Sequence, residues 1–161
     1  KEEFPRLKTF VTLSPIPGFR AWLQKSVPAM LEQLGERQQS ELGRAAGGKL
    51  TPESLLAAIE KPLDFALKSP LRQFLLSCAA HYLGREQQQG KPWDPVARFH
   101  LGNGARVERL NWGGDPSAKG LKQSYGLMVN YLYDLKRLDK HRSQLAQGKV
   151  PISGAIEELY F

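Results

Sequence analysis

The chain has 161 residues, with 23 Lys and Arg against 16 Asp and Glu, a formal charge of +7 and a predicted isoelectric point near 9.6. That length suits one domain with a sizeable core, and the basic balance favours anionic partners: nucleic acid, an acidic membrane face or a polyphosphate cofactor. Cys78 is the only cysteine, which excludes an intrachain disulfide and a cysteine-based zinc site, and no apolar run approaches the ~18 residues of a membrane span.

Lys1-Glu-Glu-Phe-Pro5 reads as the end of a helix stopped by Pro5, so further sequence is expected before residue 1. Phe10, Val11, Thr12 and Leu13 are β-branched or aromatic and predict a short strand, with Ser14 at its end. Pro15 and Pro17 each lack an N–H and fix φ, and Gly18 permits a tight turn before the next element. A serine hydroxyl is thus held on a stiff loop at a strand end, a common place for chemistry. The bland alternative is a Pro-rich turn in which Ser14 caps local backbone.

From Phe19 to about Gly90 the pattern predicts helices in several pieces. Phe19, Trp22, Leu23, Met30, Leu31 and Leu34 fall at helical spacing, and Pro28 is expected to break that stretch in two. Gln38 to Gly48 is polar and ends in an exposed Gly47-Gly48 loop. Thr51-Pro52 and Ser69-Pro70 are matching helix starts, an N-cap hydroxyl followed by proline at the first helical position. After the second, Leu71, Phe74, Leu75, Cys78, Ala79 and Tyr82 form one apolar stripe, on which Cys78 is a small buried hydrophobe.

Beyond Trp93, two alternating runs, Asp94–Leu101 and Ala105–Trp112, flank Gly102-Asn103-Gly104 and predict a β-hairpin. In that hairpin Ala97, Phe99 and Leu101 share one face, while Val96, Arg98 and His100 share the other, where His100 would line a polar cleft. Ser117 to Ser124 reads as a polar linker. From Gly126 onward Leu127, Met128, Tyr131, Leu135 and Leu138 suit an amphipathic helix, with Asn130 and Tyr133 neighbours on one face; Val129, Tyr131 and Tyr133 would also fit a short strand. Ser153 is the N-cap of a last short helix.

Leu13-Ser-Pro-Ile-Pro-Gly-Phe19, Pro95-Val-Ala-Arg-Phe-His-Leu-Gly-Asn-Gly-Ala105, Leu110-Asn-Trp112 and Gly126-Leu-Met-Val-Asn-Tyr-Leu-Tyr133 together resemble the malonyl-CoA decarboxylase family, in order and separation. The similarity spans nearly the whole chain and is weakest between Gln38 and Gly90. It implies a mixed α/β (α+β) architecture, part of an acetyltransferase-like (GNAT-like) fold with a large helical insertion. Residues 1–161 would be the C-terminal part of one catalytic domain. Within it, 1–18 would be the strand and serine loop, 19–91 the helical insertion, 92–125 the hairpin and turn, and 126–161 the C-terminal helices.

The resemblance further implies a lyase of fatty acid metabolism that converts malonyl-CoA to acetyl-CoA and carbon dioxide without metal or organic cofactor, coenzyme A being part of the substrate. Ser14, His100 and Tyr133 match the family's catalytic positions, with Tyr131 the rival of Tyr133. Ser14, His100, Tyr131 and Asn130 would contact the substrate. A cytoplasmic homo-oligomer is expected, with no nucleic-acid or membrane partner. The family's CoA-phosphate-binding loop would precede Lys1, so this chain alone is expected to be inactive.

The chemistry suits these residue types. Loss of CO2 leaves a thioester enolate, which a hydrogen-bond donor stabilises and a proton donor must then quench. Histidine, with an ordinary pKa of about 6.5, holds and releases a proton near neutrality. No Gly-x-Ser-x-Gly elbow surrounds Ser14, so a covalent role is not required. Three other readings share some of these features: a CoA-dependent acyltransferase, a basic binding module and a non-catalytic helical scaffold.

Overall fold

Three strands from distant parts of the chain form the scaffold of the molecule. The structure is a computed structural model and describes residues 8–161; the expected helix end at Lys1–Pro5 lies outside the described residues. In chain order the elements are β1 (Thr9–Pro15), α1 (Phe19–Glu32), α2 (Glu36–Ala45), α3 (Pro52–Ala58), α4 (Pro70–Gly84), β2 (Gln87–Gln88) and β3 (Lys91–Pro92). They continue with α5 (Pro95–Gly102), β4 (Arg106–Asn111), α6 (Ala118–Ser124), β5 (Met128–Asp134), α7 (Leu138–Ala146) and α8 (Gly154–Glu157).

The main sheet has the order β1-β5-β4, antiparallel throughout, and β2 and β3 form a separate two-stranded ribbon inside the segment read as helical. Along β5, Val129, Tyr131 and Tyr133 are buried while Met128, Asn130, Leu132 and Asp134 are partly exposed, the period-two alternation of a half-covered strand. The buried face joins Ile16, Phe19, Leu23, Leu75, Cys78, Tyr82 and Leu101 in one core. Every member of the α4 stripe, Leu71 to Tyr82, is buried.

Helix starts follow their capping chemistry. Thr51 Oγ1 accepts from Ser54 N at 3.0 Å, Ser69 Oγ from Leu71 N at 3.1 Å, and Ser153 Oγ from Ile156 N at 3.2 Å. Pro28 does not divide α1: it lies on the exposed side of a helix that runs unbroken from Phe19 to Glu32.

The expected β-hairpin at 94–112 is not formed. Its first arm is the helix α5, capped by Asp94 with Pro95 in the first turn, the same start signal seen at Thr51-Pro52. Burial follows the helical period: Ala97 and Leu101, four apart, are buried, whereas Phe99 is 64% exposed. Gly102-Asn103-Gly104 is the helix stop, with Asn103 at the C-cap and Gly104 at φ +94. Only the second arm is a strand, β4. Ser117–Ser124 is likewise a helix, α6, with Ser117 Oγ accepting from Gly120 N.

The expected helix beyond Gly126 is the strand β5, and only α7 and α8 in the 126–161 block are helical. What decides it is pairing on both sides, by β1 from the start of the chain and by β4. Sandwiched between two strands, β5 satisfies its backbone groups in the sheet.

Candidate active site

The end of β1 carries Ser14, which is 5% exposed. The register pairs Phe10 with Tyr133, Thr12 with Tyr131 and Ser14 with Val129, which puts all six side chains on one face of the sheet. Helix α5 lies over that face and presents His100. Ser14 Oγ is 3.2 Å from His100 Nε2, and His100 Nδ1 is 2.6 Å from the Tyr133 hydroxyl. Thr12 Oγ1 lies 3.4 Å from Ser14 Oγ and extends the chain of polar groups by one member.

Aromatic contacts hold this line in place. The imidazole stacks on Tyr131 at 4.6 Å between centroids and 21° between planes, and Phe99 meets it edge-on at 5.1 Å. Phe10 stacks on Tyr133 at 4.7 Å and 4°. Partial burial disfavours the imidazolium and lowers the His100 pKa below its ordinary 6.5. Burial likewise raises the Tyr133 phenol, which stays protonated as a donor near neutral pH. A tautomer in which Tyr133 donates to Nδ1 carries the imidazole proton on Nε2, the nitrogen that faces Ser14.

The arrangement can pass a proton from Tyr133 through His100 to Ser14. Two grooves lie elsewhere: one of about 590 Å³ lined by Arg85, Arg106, Lys140 and Lys149, another of about 370 Å³ beside Leu42 and Phe161. Neither includes Ser14, His100 or Tyr133. Among the described residues no group of three His, Cys, Asp or Glu side chains gathers as a metal centre would.

The sequence profile described as Malonyl-CoA decarboxylase C-terminal domain matches residues 1–160. The chain belongs to that family. The mitochondrial malonyl-CoA decarboxylase of Mus musculus is 40% identical over 144 residues, and that of Anser anser anser 35%. Each match covers 84% of this chain and 29% of the relative, so the chain spans less than a third of those proteins. The crystal structure of malonyl-CoA decarboxylase from Cupriavidus metallidurans superposes with a TM-score of 0.85 at 43% identity, over 98% of this chain and 40% of that one.

In this malonyl-CoA decarboxylase family chain, Ser14, His100 and Tyr133 come together as one hydrogen-bonded line. Tyr131 is adjacent in a different way: its ring supports His100, while its buried hydroxyl finds no partner among the described residues. Asn130 does not join them. As part of a strand rather than a helix it faces the opposite side from Tyr133, where it accepts from Asn111 Nδ2 at 3.0 Å and donates to the Thr12 carbonyl at 3.1 Å. His100 reaches Ser14 from a helix, not from the hairpin face it was expected to share with Val96 and Arg98. Thr12 and Asp94 were not singled out from the sequence. Thr12 was legible as the residue two before Ser14 on a strand, and Asp94 as an N-cap before proline.

Proposed function

We propose that the full-length protein decarboxylates malonyl-CoA to acetyl-CoA and CO2, with Ser14 orienting the acyl group and His100 supplying the proton. The observation that carries this reading is the Ser14 Oγ to His100 Nε2 distance of 3.2 Å, continued by Tyr133 at 2.6 Å. Membership of the family supports the choice of substrate.

In the proposed reaction Ser14 donates a hydrogen bond to the malonyl group and turns the bond to be broken out of the thioester plane. The C–C bond to the carboxylate breaks, CO2 departs, and the electron pair passes into the thioester as an enolate. Its α-carbon takes the proton on His100 Nε2, while Ser14 keeps its hydrogen bond to the acyl group. Tyr133 gives its proton to Nδ1 and is restored from solvent. General acid help of this kind contributes about 10²–10⁴-fold, or about 3–5 kcal/mol of barrier.

We read the sheet and its covering helices as part of a GNAT-like fold, in which the edge strand β1 lies beside the acyl group. The reaction needs no metal or organic cofactor, because the thioester itself takes up the electron pair. The protein is proposed to act as a homo-oligomer, without nucleic-acid or membrane partners. Among the described residues no helix is long and apolar enough to cross a membrane. A single buried thiol suits a reducing compartment, and the cytoplasm is proposed, whereas the curated relatives are named mitochondrial.

A CoA-dependent acyltransferase of the same fold is the second reading, favoured by the same open edge beside Ser14. The two separate in one assay. Full-length protein given malonyl-CoA alone is expected to release equal amounts of CO2 and acetyl-CoA. Absence of CO2, with an acyl group moved onto an added amine, would replace the first reading by the second.

A further inference from the structure

We propose that Asp94 is a positioning residue that fixes Ser14 and His100 relative to one another by tying the loop after β1 to the start of α5. The inference rests on the Ser14–His100 reading above. Asp94 is 0% exposed, so it acts from beneath the site rather than on the substrate.

Its carboxylate ties α4 to α5, and the loop after Ser14 packs on that joint. Oδ2 accepts from Val96 N at 3.1 Å and Ala97 N at 3.0 Å, the first amides of α5. Oδ1 accepts from the Tyr82 hydroxyl of α4 at 3.1 Å. Gly18, from the loop that follows Ser14, packs directly against the Tyr82 hydroxyl and the Asp94 carboxylate. Gly18 sits so close that a methyl group there would lie 2.6 Å from the Tyr82 hydroxyl oxygen. The connections from this anchor to the chemistry are short and stiff. Ser14 precedes Gly18 through Pro15-Ile16-Pro17, whose prolines fix φ, and His100 follows Asp94 within a single helix.

The choice of residue is itself informative. Ser or Thr would cap α5 equally well, as Thr51 and Ser69 cap α3 and α4. A buried carboxylate is costlier, and its desolvation pushes the Asp94 pKa up against the pull of its hydrogen bonds. What it adds is acceptor capacity for donors from α4 and α5 at once, beneath the Ser14 loop. Tyr82 is itself held by Phe19 and Trp22, at 5.7 and 5.1 Å between ring centroids, so the anchor is rigid.

The test is made in the full-length protein by steady-state decarboxylation of malonyl-CoA. Asp94→Ala is expected to lower kcat by about 10–10²-fold, the cost of a misplacement near 1 Å, with KM within about twofold of wild type. Asp94→Asn, which keeps the acceptor for the α5 amides, should recover most of that loss. Tyr82→Phe keeps the ring and removes one hydrogen bond, so kcat should fall about two- to tenfold even if Asp94→Ala fails to fold. In a His100→Asn background, Asp94→Ala or Tyr82→Phe should cost less than about twofold more, because each acts through the pair already broken. Full additivity there, a rise in KM at unchanged kcat, or wild-type kcat in Tyr82→Phe would overturn the inference. Wild-type turnover in His100→Asn alone would overturn the reading on which it rests, and the inference with it.

Discussion

Replacing Tyr133 by Phe removes one oxygen and leaves a ring that Phe10 holds at 4.7 Å, so the perturbation is confined to the 2.6 Å hydrogen bond with His100 Nδ1. One such bond is worth about 0.5–1.5 kcal/mol, which at 1.36 kcal/mol per decade is about a two- to thirteenfold loss of turnover from anchoring alone. Loss of the last donor in the proton line adds to this, and the expected fall in kcat is about 10–10²-fold. KM should stay within about twofold, because the stack on Tyr131 keeps the imidazole in place. Tyr131→Phe provides the contrast. Its buried hydroxyl has no partner among the described residues, so removing it should leave kcat within about twofold and stability equal or higher by about 1 kcal/mol. Acetyl-CoA formation by the two full-length variants, with denaturant unfolding measured alongside, checks both. A crippled Tyr131→Phe beside a fully active Tyr133→Phe would refute the assignment of the two tyrosines.

Burial lowers the His100 pKa from 6.5, so the imidazole is neutral at pH 7 and gains its proton only in acid. The log of kcat/KM should therefore be flat between pH 7 and 8 and fall as pH drops through an inflection below 6.5; a rise on acidification would contradict the neutral donor. Gly104 stands at φ +94 with room for a Cβ only 2.9 Å from the Leu138 carbonyl oxygen. Gly104→Ala should cost about 2–4 kcal/mol of stability, read as a lowered denaturant midpoint at unchanged m-value. Val11 and Leu13 are 52% and 58% exposed on the edge strand β1. Residues 1–161 should therefore bind a hydrophobic dye when expressed alone, and a monodisperse protein that binds none would contradict this.

What the sequence made legible was what nearby residues decide. Thr51-Pro52, Ser69-Pro70 and Ser153 announce their helices because a cap acts on amides two or three residues away. Asp94-Pro95 carries the same signal, and Ala97 and Leu101 fit a helix face, yet the run from Val96 to Leu101 also alternates as a strand would. The strand at Met128–Asp134 depends on Thr9–Pro15, more than a hundred residues earlier, and no local period reports such a partner. Its tyrosines fit either element until pairing chooses. Ser14, His100 and Tyr133 are legible through the long motifs they lie in rather than through local geometry. The expected hairpin face for His100 is replaced by the helix α5, yet the ring is within hydrogen-bond reach of Ser14. Asn130 was misplaced for the same reason: three residues apart means one face on a helix and opposite faces on a strand.

The central claim is that Ser14 and His100 act as one unit on malonyl-CoA. It is tested most directly by kcat for Ser14→Ala, His100→Asn and the double variant, all in the folded full-length protein. Each single change is expected to lower kcat by about 10²–10⁴-fold with KM little altered, and the double variant should be no worse than the poorer single within about threefold. Losses that multiply, or a His100→Asn enzyme within about tenfold of wild type (~1.4 kcal/mol), would contradict the account.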